Sequence, residues 1–304
     1  MSRSWSPQSQ PPWPGNVWDL GRHRLYVRSA PPVDRRAEPA VMVHGLGGRS
    51  ANWTDLMELL RHRLASVAPD LPGFGLSAPP DDGDYGLDAL TASVRGVVER
   101  HGAPVHLFGN SLGGAVCVRL AARRPDLVRS LVLVSPALPD LRPRRTVVGV
   151  PVLAVPGLGE QMWRQLARLP VERQVQSMLE LNFGDPSVVS PSRRAEAVAE
   201  FRRRFTLPYA GDALSRTTRG LLRAFVEPGP TGLWREASRL QLPCLVLYGG
   251  RDRLVDPRRA RRAARTIPDA RVVTLPTVGH MGQVEQPALV ARLVGRFLDG
   301  AATV

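Results

Sequence analysis

The sequence predicts an α/β protein built on a doubly wound, mostly parallel sheet that carries an inserted helical cap. At both ends of the chain, short apolar runs of the buried-strand type alternate with segments of helical periodicity. Between them, residues 137–240 hold several short helical stretches broken by prolines and no clear pair of strands. We therefore expect a core of residues 21–136 and 241–304, a cap of residues 137–240 and an N-terminal tail of residues 1–20.

The predicted elements follow from two kinds of apolar pattern. Nearly continuous apolar runs predict buried strands, and apolar residues spaced three or four apart predict helices. The predicted strands are residues 24–28, 40–44, 65–69, 104–108, 130–135, 244–248 and 271–275. The predicted helices are residues 53–64, 87–98, 115–122, 160–169, 171–181, 192–205, 214–226, 257–266 and 287–298. Parallel strands place their C-terminal loops on one side of a sheet, so we expect the functional residues on that side.

Composition excludes several function classes. No apolar run approaches the roughly 18 residues that a membrane-spanning helix needs, and the N-terminal residues lack the apolar core of a secretory signal. A cytoplasmic location is therefore expected. The formal net charge of +14 would suit a nucleic-acid partner, but the chain has no lysine, its arginines are scattered, and no nucleic-acid motif accompanies them. We expect no nucleic-acid partner, and we expect Cys117 and Cys244, which lie in apolar runs, to be core residues.

Ser111 is the candidate nucleophile. It lies in Gly109-Asn110-Ser111-Leu112-Gly113, between a strand-like run and a helix-like run. In so tight a strand-to-helix turn the serine hydroxyl projects clear of the sheet, and the first N–H groups of the helix face the same point. Such a serine can attack a carbonyl carbon, and donors are already in place for the charge that develops. With 28 glycines in 304 residues the pattern could arise by accident, so other parts of the chain must supply a base and an acid.

His280 is the candidate base because it lies just past the last predicted strand, on the same side of the sheet as Ser111. The other five histidines have contexts that suggest different roles. His23 and His62 lie in arginine-rich surface segments, and His101 lies at a helix end. His106 lies inside the strand that leads to Ser111. His44 lies at the end of an early strand, where it is expected to shape the next turn.

Asp252 is the favoured triad acid because it also lies beyond the C-terminal end of a predicted strand, in Tyr248-Gly249-Gly250-Arg251-Asp252. Two alternatives remain open. Asp256 lies four residues on and could instead cap the helix that begins at Pro257. Asp140 follows the strand that ends at Ser135. We expect Asp252 to orient the imidazole of His280.

Two backbone N–H groups are the candidate oxyanion donors. One is that of Leu112, immediately after the nucleophile, and the other is that of Leu46, in Gly45-Leu46-Gly47-Gly48. This turn could also be a plain flexible loop. A phosphate-binding loop is disfavoured because the lysine that a P-loop requires is absent.

Together these motifs resemble those of the α/β-hydrolase fold serine hydrolases, of the esterase or lipase type with a helical cap. The resemblance covers residues 20 to 300, is weakest in the cap, and includes the chain order Ser, Asp, His. It implies the same fold and a Ser111, Asp252, His280 triad. The matching segments are His44-Gly45-Leu46-Gly47, Asp70-Leu71-Pro72-Gly73-Phe74-Gly75, Gly109-Asn110-Ser111-Leu112-Gly113-Gly114, Gly249-Gly250-Arg251-Asp252 and Gly279-His280.

The resemblance also reduces the number of candidate reactions. Dehalogenases and epoxide hydrolases of this superfamily carry aspartate where this chain has Ser111, and the arginine-rich cap disfavours the cationic substrate of a proline iminopeptidase. C–C bond hydrolases of ring-cleavage pathways share Gly109-Asn110-Ser111, but they usually carry a proline in the oxyanion turn and a tryptophan after the histidine. This chain has Gly47-Gly48 and Met281 at those places.

We therefore expect hydrolysis of a carboxylic ester of a hydrophobic small molecule or lipid, with no cofactor and no metal. The alternatives are a C–C bond hydrolase acting on a ring-cleavage dienone, and a catalytically idle ligand-binding protein. The apolar stretch of residues 147–158, too rich in proline for a helix, is expected to be either cap core or hinge, or an apolar lip beside arginines that meet an anionic membrane surface. The sequence does not give the oligomeric state.

Overall fold

The computed structural model describes residues 10–140, 144, 146 and 150–301, and within them the strands form one sheet. Most of these strands are continuous apolar runs, as expected for strands buried on both faces. In chain order they are β1 (Gly15–Asp19), β2 (Arg24–Ala30), β3 (Glu38–Val43), β4 (Leu64–Pro69), β5 (Val105–Asn110), β6 (Val128–Val134), β7 (Cys244–Gly249) and β8 (Ala270–Leu275).

The spatial order of the strands is β1-β2-β4-β3-β5-β6-β7-β8. The pairs β1–β2 and β2–β4 are antiparallel, and every pair from β4–β3 to β7–β8 is parallel. This arrangement confirms the predicted mostly parallel sheet. It also places the C-terminal ends of β3, β5, β7 and β8 on one side, where the candidate site residues lie.

Strand β1 corrects the predicted N-terminal tail of residues 1–20. Gly15–Asp19 pairs with β2, and Trp18 and Leu20 pack against the main core. The proline-rich composition around this segment concealed an edge strand whose stability comes from contacts with residues far along the chain. Residues 1–9 of the predicted tail lie outside the described part of the chain.

The core helices cover both faces of the sheet. In β3, Val41 and Val43 face one apolar cluster, while Ala40 and Met42 face the other. The first cluster includes residues of the helices at 87–101, 112–123, 233–237 and 259–266, and the second includes residues of those at 54–60 and 287–301. These core helices, with the short α11, are α1 (Thr54–Leu60), α2 (Leu87–His101), α3 (Leu112–Arg123), α9 (Leu233–Ala237), α10 (Arg259–Thr266), α11 (Gly282–Glu285) and α12 (Pro287–Ala301).

Several predicted helices differ from the observed ones near their ends, and for two of them the local cause is clear. The predicted helix of residues 53–64 ends at Leu60, because Leu64 is the first residue of β4 and is buried in the sheet. The helix that follows Ser111 begins at Leu112, three residues earlier than predicted, because the nucleophile itself occupies its N-cap position.

In the described residues the cap contains one short helix followed by four that match the predicted spans to within a few residues. They are α4 (Val150–Leu153), α5 (Leu158–Leu166), α6 (Val171–Asn182), α7 (Pro191–Thr206) and α8 (Ala210–Phe225). Helix α4 corrects the prediction that residues 147–158 are too rich in proline for a helix. It forms despite Pro151, because a proline in the first turn of a helix forfeits no intrahelical hydrogen bond. Residues 147–149 of the predicted apolar stretch lie outside the described part of the chain.

The cap ends earlier than residue 240, the predicted boundary. Helix α9 lies inside the predicted cap span, yet Leu233 and Ala237 are fully buried in the main core cluster with residues of α3. The chain therefore returns to the core at α9. Cys117 and Cys244 are free and buried, as predicted. Among the described helices none combines the length and the apolar character of a membrane span.

Candidate active site

The elbow between β5 and α3 holds Ser111 in a strained conformation. The backbone of Ser111 has φ 54° and ψ −118°, which a residue with a side chain adopts at a cost of about 1–3 kcal/mol. The surroundings enforce it: Ser111 N donates to Val134 O at 3.1 Å, and Ser111 O accepts from Ala137 N at 2.9 Å and from Ala115 N at 3.2 Å. The hydroxyl is thus presented at the N-terminus of α3, on a partly exposed residue.

The elbow and the turn after β3 are in direct contact. A Cβ atom on Gly113 would lie 2.3 Å from the Val43 carbonyl oxygen, and one on Gly45 would lie 3.0 Å from Ser111 Cβ. Only glycine allows the two backbones to approach this closely. The turn of residues 45–48 therefore lies directly beside the nucleophile.

The side chain of His44 stabilises this turn and connects it to Leu71. Gly48 N donates to Gly45 O at 2.9 Å, and Gly47 has a φ of 68°. His44 Nδ1 lies 2.7 Å from Gly45 O, and Leu71 N donates to His44 Nε2 at 2.9 Å. This pair of contacts requires the neutral ring with its proton on Nδ1, and burial lowers the pKa of His44, which favours that form. His44 thus shapes the turn, as predicted.

The two candidate oxyanion donors belong to the two segments that approach each other at Ser111. Leu46 occupies the second position of the turn, and Leu112 is the first residue of α3. No described residue accepts a hydrogen bond from either backbone N–H. Both are therefore available to a substrate oxygen, and the positive end of α3 adds to the field there. Their catalytic role stays a prediction.

Asp252 and His280 form a buried pair. His280 Nδ1 lies 2.8 Å from Asp252 Oδ2, while Asp252 Oδ1 accepts from Leu254 N at 2.7 Å and Val255 N at 2.9 Å. Burial would raise the pKa of Asp252, but the charge and hydrogen bond of His280, with the Val255 N–H, hold it below its ordinary value. The carboxylate is ionised and fixed, as an orienting acid must be.

The two rival acids bind arginines instead. Asp256 accepts from Arg258 N at 2.9 Å and forms an ion pair with the Arg258 guanidinium, close to the start of α10. Asp140 forms an ion pair with Arg259. Of the three predicted candidates, Asp252 is the one that the structure pairs with His280.

Asn110 joins the elbow to the histidine loop. Its Nδ2 donates to His280 O at 3.1 Å and to Val134 O at 3.0 Å. The described residues show no hydrogen bond between the Ser111 hydroxyl and the imidazole of His280. Catalytic hydrogen bonds of this kind often form only with substrate bound. The assignment of Ser111, His280 and Asp252 as a triad remains a prediction.

Glu285 supports the histidine loop and was not found by sequence analysis. Its carboxylate is buried and accepts from Gly279 N at 2.7 Å, Gly184 N at 3.1 Å and Asp185 N at 2.9 Å. In addition, His280 N donates to the cap residue Asn182 at 2.7 Å. Hydrogen bonds thus join the C-terminal end of α6 and the segment after it to the histidine loop. No motif marks Glu285, because its partners are backbone groups and two of the three lie about 100 residues away.

The remaining histidines have structural contacts. His106 bridges Ser130 Oγ and Glu38 Oε2 at 2.8 Å each, and His101 Nε2 lies 2.7 Å from Ala65 O. His62 is exposed, as the sequence suggested, whereas His23 is half-buried. The sequence contexts of the other five histidines left His280 as the candidate base. In the structure His280 has a carboxylate partner, Asp252, on the same side of the sheet as Ser111.

Comparison with known proteins agrees with this geometry. The sequence profile of the alpha/beta hydrolase fold family matches residues 39–287, which include the elbow, the acid loop and the histidine loop. This chain belongs to the α/β-hydrolase fold family. The hydrolase fold predicted from the motifs is thereby confirmed, and esterase-like or lipase-like proteins are among its relatives.

The relatives of this α/β-hydrolase have different activities. A 2-hydroxy-6-oxo-2,4-heptadienoate hydrolase of Pseudomonas putida is 30% identical over 275 residues, covering 86% of this chain and 88% of that protein. Lipase 3 of a Moraxella species is 26% identical, covering 86% and 78%. The dihydrolipoyllysine-residue acetyltransferase component of an acetoin cleaving system from P. putida is 30% identical over 86% of this chain, which spans only 63% of that relative.

Solved structures share the fold of this hydrolase. A 2-hydroxy-6-oxo-6-phenylhexa-2,4-dienoate hydrolase from Rhodococcus superposes with a TM-score of 0.77 at 20% identity, covering 94% of this chain and 98% of that one. A bacterial membrane phospholipase A gives a TM-score of 0.77 at 23% identity, covering 96% and 88%. At such identities the likeness extends to the fold alone.

Proposed function

We propose that this α/β-hydrolase is a serine hydrolase that cleaves carboxylic esters of hydrophobic or lipid-like molecules through an acyl-enzyme. The observation that supports it best is the left-handed Ser111 at the N-terminus of α3, on the side of the sheet where Asp252 and His280 form their buried pair. A serine in this position serves acyl transfer, whereas the dehalogenase and epoxide hydrolase reactions of this fold use an aspartate there.

In this mechanism Ser111 Oγ attacks the ester carbonyl carbon as His280 Nε2 takes its proton. The oxyanion binds to the N–H groups of Leu46 and Leu112, which have no acceptor among the described residues. His280 then gives the proton to the leaving alcohol, and a water molecule activated by the same imidazole releases the acid. Asp252 keeps Nδ1 protonated and stabilises the imidazolium.

The test is hydrolysis of nitrophenyl esters with short, medium and long acyl chains by the wild type and by Ser111→Ala. We expect ester turnover in the wild type and a loss of at least about 10⁴-fold in the variant, because the nucleophile is removed. Thermal unfolding of both proteins is the control for folding. Turnover that persists in folded Ser111→Ala would contradict the proposal.

A C–C bond hydrolase is the second candidate. It is supported by the relative from P. putida with 30% identity and by the shared Gly109-Asn110-Ser111. A 2-hydroxy-6-oxo-dienoate assayed beside the esters separates the two reactions. Turnover of the dienoate with no ester hydrolysis would favour the C–C hydrolase, and saturable binding without turnover of either would favour a ligand-binding protein.

We further propose that the cap contacts a lipid surface. Apolar side chains that would normally be buried are exposed on α4, α5 and the segments that follow each of them, and the arginines at 164 and 168 are exposed among them. Their exposure also disfavours the cap-core interpretation of residues 150–158. Apolar groups beside cationic ones are the composition of surfaces that bind anionic interfaces. The exposed residues are Val152, Val155, Leu158, Leu166 and Leu169.

The double substitution Leu158→Ser and Leu169→Ser is expected to lower kcat/KM several-fold for long-chain esters presented in anionic vesicles. Activity on short soluble esters should stay unchanged, because the substituted side chains are 45% and 51% exposed and lie outside the catalytic constellation. Val33→Ser, a substitution in a core loop at 56% exposure, is the matched control. An equal loss on both kinds of ester would argue against a lipid-facing cap.

A further inference from the structure

We propose that Arg204 forms an anion subsite beside the reacting carbonyl, so that the preferred esters carry a carboxylate or phosphate group close to the scissile bond. This inference rests on the proposed ester hydrolysis and specifies its substrate class. It concerns a cap side chain that the catalytic mechanism does not use.

Arg204 reaches from α7 onto the turn that carries the oxyanion donor. Its Nη1 donates to Gly47 O at 3.0 Å, and a Cβ atom on Gly47 would lie 3.7 Å from its Nη2. Leu46 directly precedes Gly47 in this turn. The guanidinium therefore binds the residue that follows Leu46, whose N–H is expected to bind the carbonyl oxygen of the substrate.

This guanidinium has unused hydrogen-bonding capacity. Of its five N–H donors, only the one bound to Gly47 O has an acceptor among the described residues. Glu200, the acidic residue whose charge acts on Arg204, binds Arg203 at 2.8 and 3.0 Å and Arg49 at 3.4 Å instead. A largely desolvated cation without a carboxylate partner is costly, and an anionic ligand would relieve that cost.

Aromatic rings enclose the cation on the cap side. The Cζ atom of Arg204 lies 5.3 Å from the ring centroid of Trp163 and 5.6 Å from that of Phe201, and Phe205 packs against Trp163 at 4.8 Å. These rings stabilise the positive charge but supply no oxygen acceptor. The planar guanidinium fork suits the two oxygens of a carboxylate or phosphate.

Electrostatics point in the same direction. Burial lowers the pKa of Arg204, and the neighbouring Arg203 and Arg49 lower it further against the opposing pull of Glu200. On the same helix, by contrast, Arg202 is 66% exposed and pairs with Glu172 at 2.8 Å. Arg204 thus differs from the solvated arginines of the cap in its burial, its position and its lack of an acidic partner.

The test compares matched esters with wild type, Arg204→Met and Arg204→Lys. The carboxylate arm pairs mono-4-nitrophenyl glutarate with 4-nitrophenyl valerate, and the phosphate arm pairs a 1-acylglycerol 3-phosphate with the monoacylglycerol of the same acyl chain. We expect the wild type to prefer the anionic ester in at least one arm, and Arg204→Met to lower its kcat/KM about tenfold to a hundredfold through KM. Arg204→Lys should restore part of the preference.

Arg202→Met is the matched control, because it removes a charge of the same helix far from the turn and should leave the preference intact. Equal losses on the neutral and anionic esters in Arg204→Met would mean that Arg204 only holds the turn, and no preference in the wild type would mean that no subsite exists. Either result overturns the proposal.

Calorimetric binding separates failure of the subsite from failure of the proposed function. Mono-4-nitrophenyl glutarate and the 1-acylglycerol 3-phosphate are titrated into Ser111→Ala protein with and without Arg204→Met. If the wild type hydrolyses no ester, ester hydrolysis is refuted, and a tenfold weaker binding in the double variant still supports the subsite. Unchanged binding in the double variant overturns it.

Discussion

Replacing Asp252 by asparagine is expected to lower kcat about 10⁴-fold for the ester that the wild type hydrolyses best. Asp252 Oδ2 faces His280 Nδ1, and Oδ1 accepts two backbone N–H groups. An amide at this position must turn its NH₂ group toward the imidazole or toward those two donors. In the first case the ring takes the wrong tautomer, and Nε2 no longer accepts the serine proton.

The matched controls for Asp252→Asn are Asp256→Asn and Asp140→Asn, which remove the two rival carboxylates. Both are expected to retain most of the wild-type kcat, because these carboxylates bind Arg258 and Arg259, whereas the carboxylate paired with His280 is that of Asp252. Steady-state kinetics on all three variants, with circular dichroism to check folding, completes the test. A loss in Asp256→Asn as large as that in Asp252→Asn would refute the assignment of the triad acid.

Replacing Arg119 by methionine is expected to produce a large loss of stability, about 3–5 kcal/mol in the free energy of unfolding. The Arg119 side chain is fully buried in α3 and binds Glu236 at 3.0 Å, Glu227 at 2.5 Å and Asp88 at 2.8 Å, with Thr231 O as a further acceptor. Methionine fills a similar volume but leaves the buried Glu236 without one of its two cationic partners.

Urea and thermal unfolding of Arg119→Met, with Arg124→Met as the control, measure this loss. Arg124 leaves the same helix at its C-terminal end, and its ion pairs with Asp126 and Glu99 are exposed to solvent, so its removal should change the unfolding midpoint little. Because Arg119 binds the segment between α8 and α9, where the chain returns from the cap, the variant should also unfold there first. Equal stability of Arg119→Met and wild type would contradict this account.

Much of the fold could be predicted from the sequence, because the signals are local. The apolar side chains of a continuous run such as β7 are all buried only in a sheet that is covered on both faces. The spacing of apolar residues in α2 likewise requires one buried helix face. The elbow is equally local, since Gly109, Ser111 and Gly113 are demanded by the geometry of one tight turn. The predicted end of the N-terminal tail and the predicted end of the cap were wrong because β1 and α9 are short. Contacts with other parts of the chain stabilise them, and a local sequence pattern does not show such contacts.

For the candidate site, the sequence by itself determined the residue types and the side of the sheet on which they lie: a strained serine, a histidine loop and an acid loop. Only the tertiary structure decided three contacts: which carboxylate pairs with His280, that Glu285 joins the cap to the histidine loop, and that Arg204 binds the turn of residues 45–48. The physical reason is the distance along the chain over which each kind of interaction acts. Turn and helix preferences depend on neighbours a few residues apart, whereas these contacts join groups from 6 to 157 residues apart.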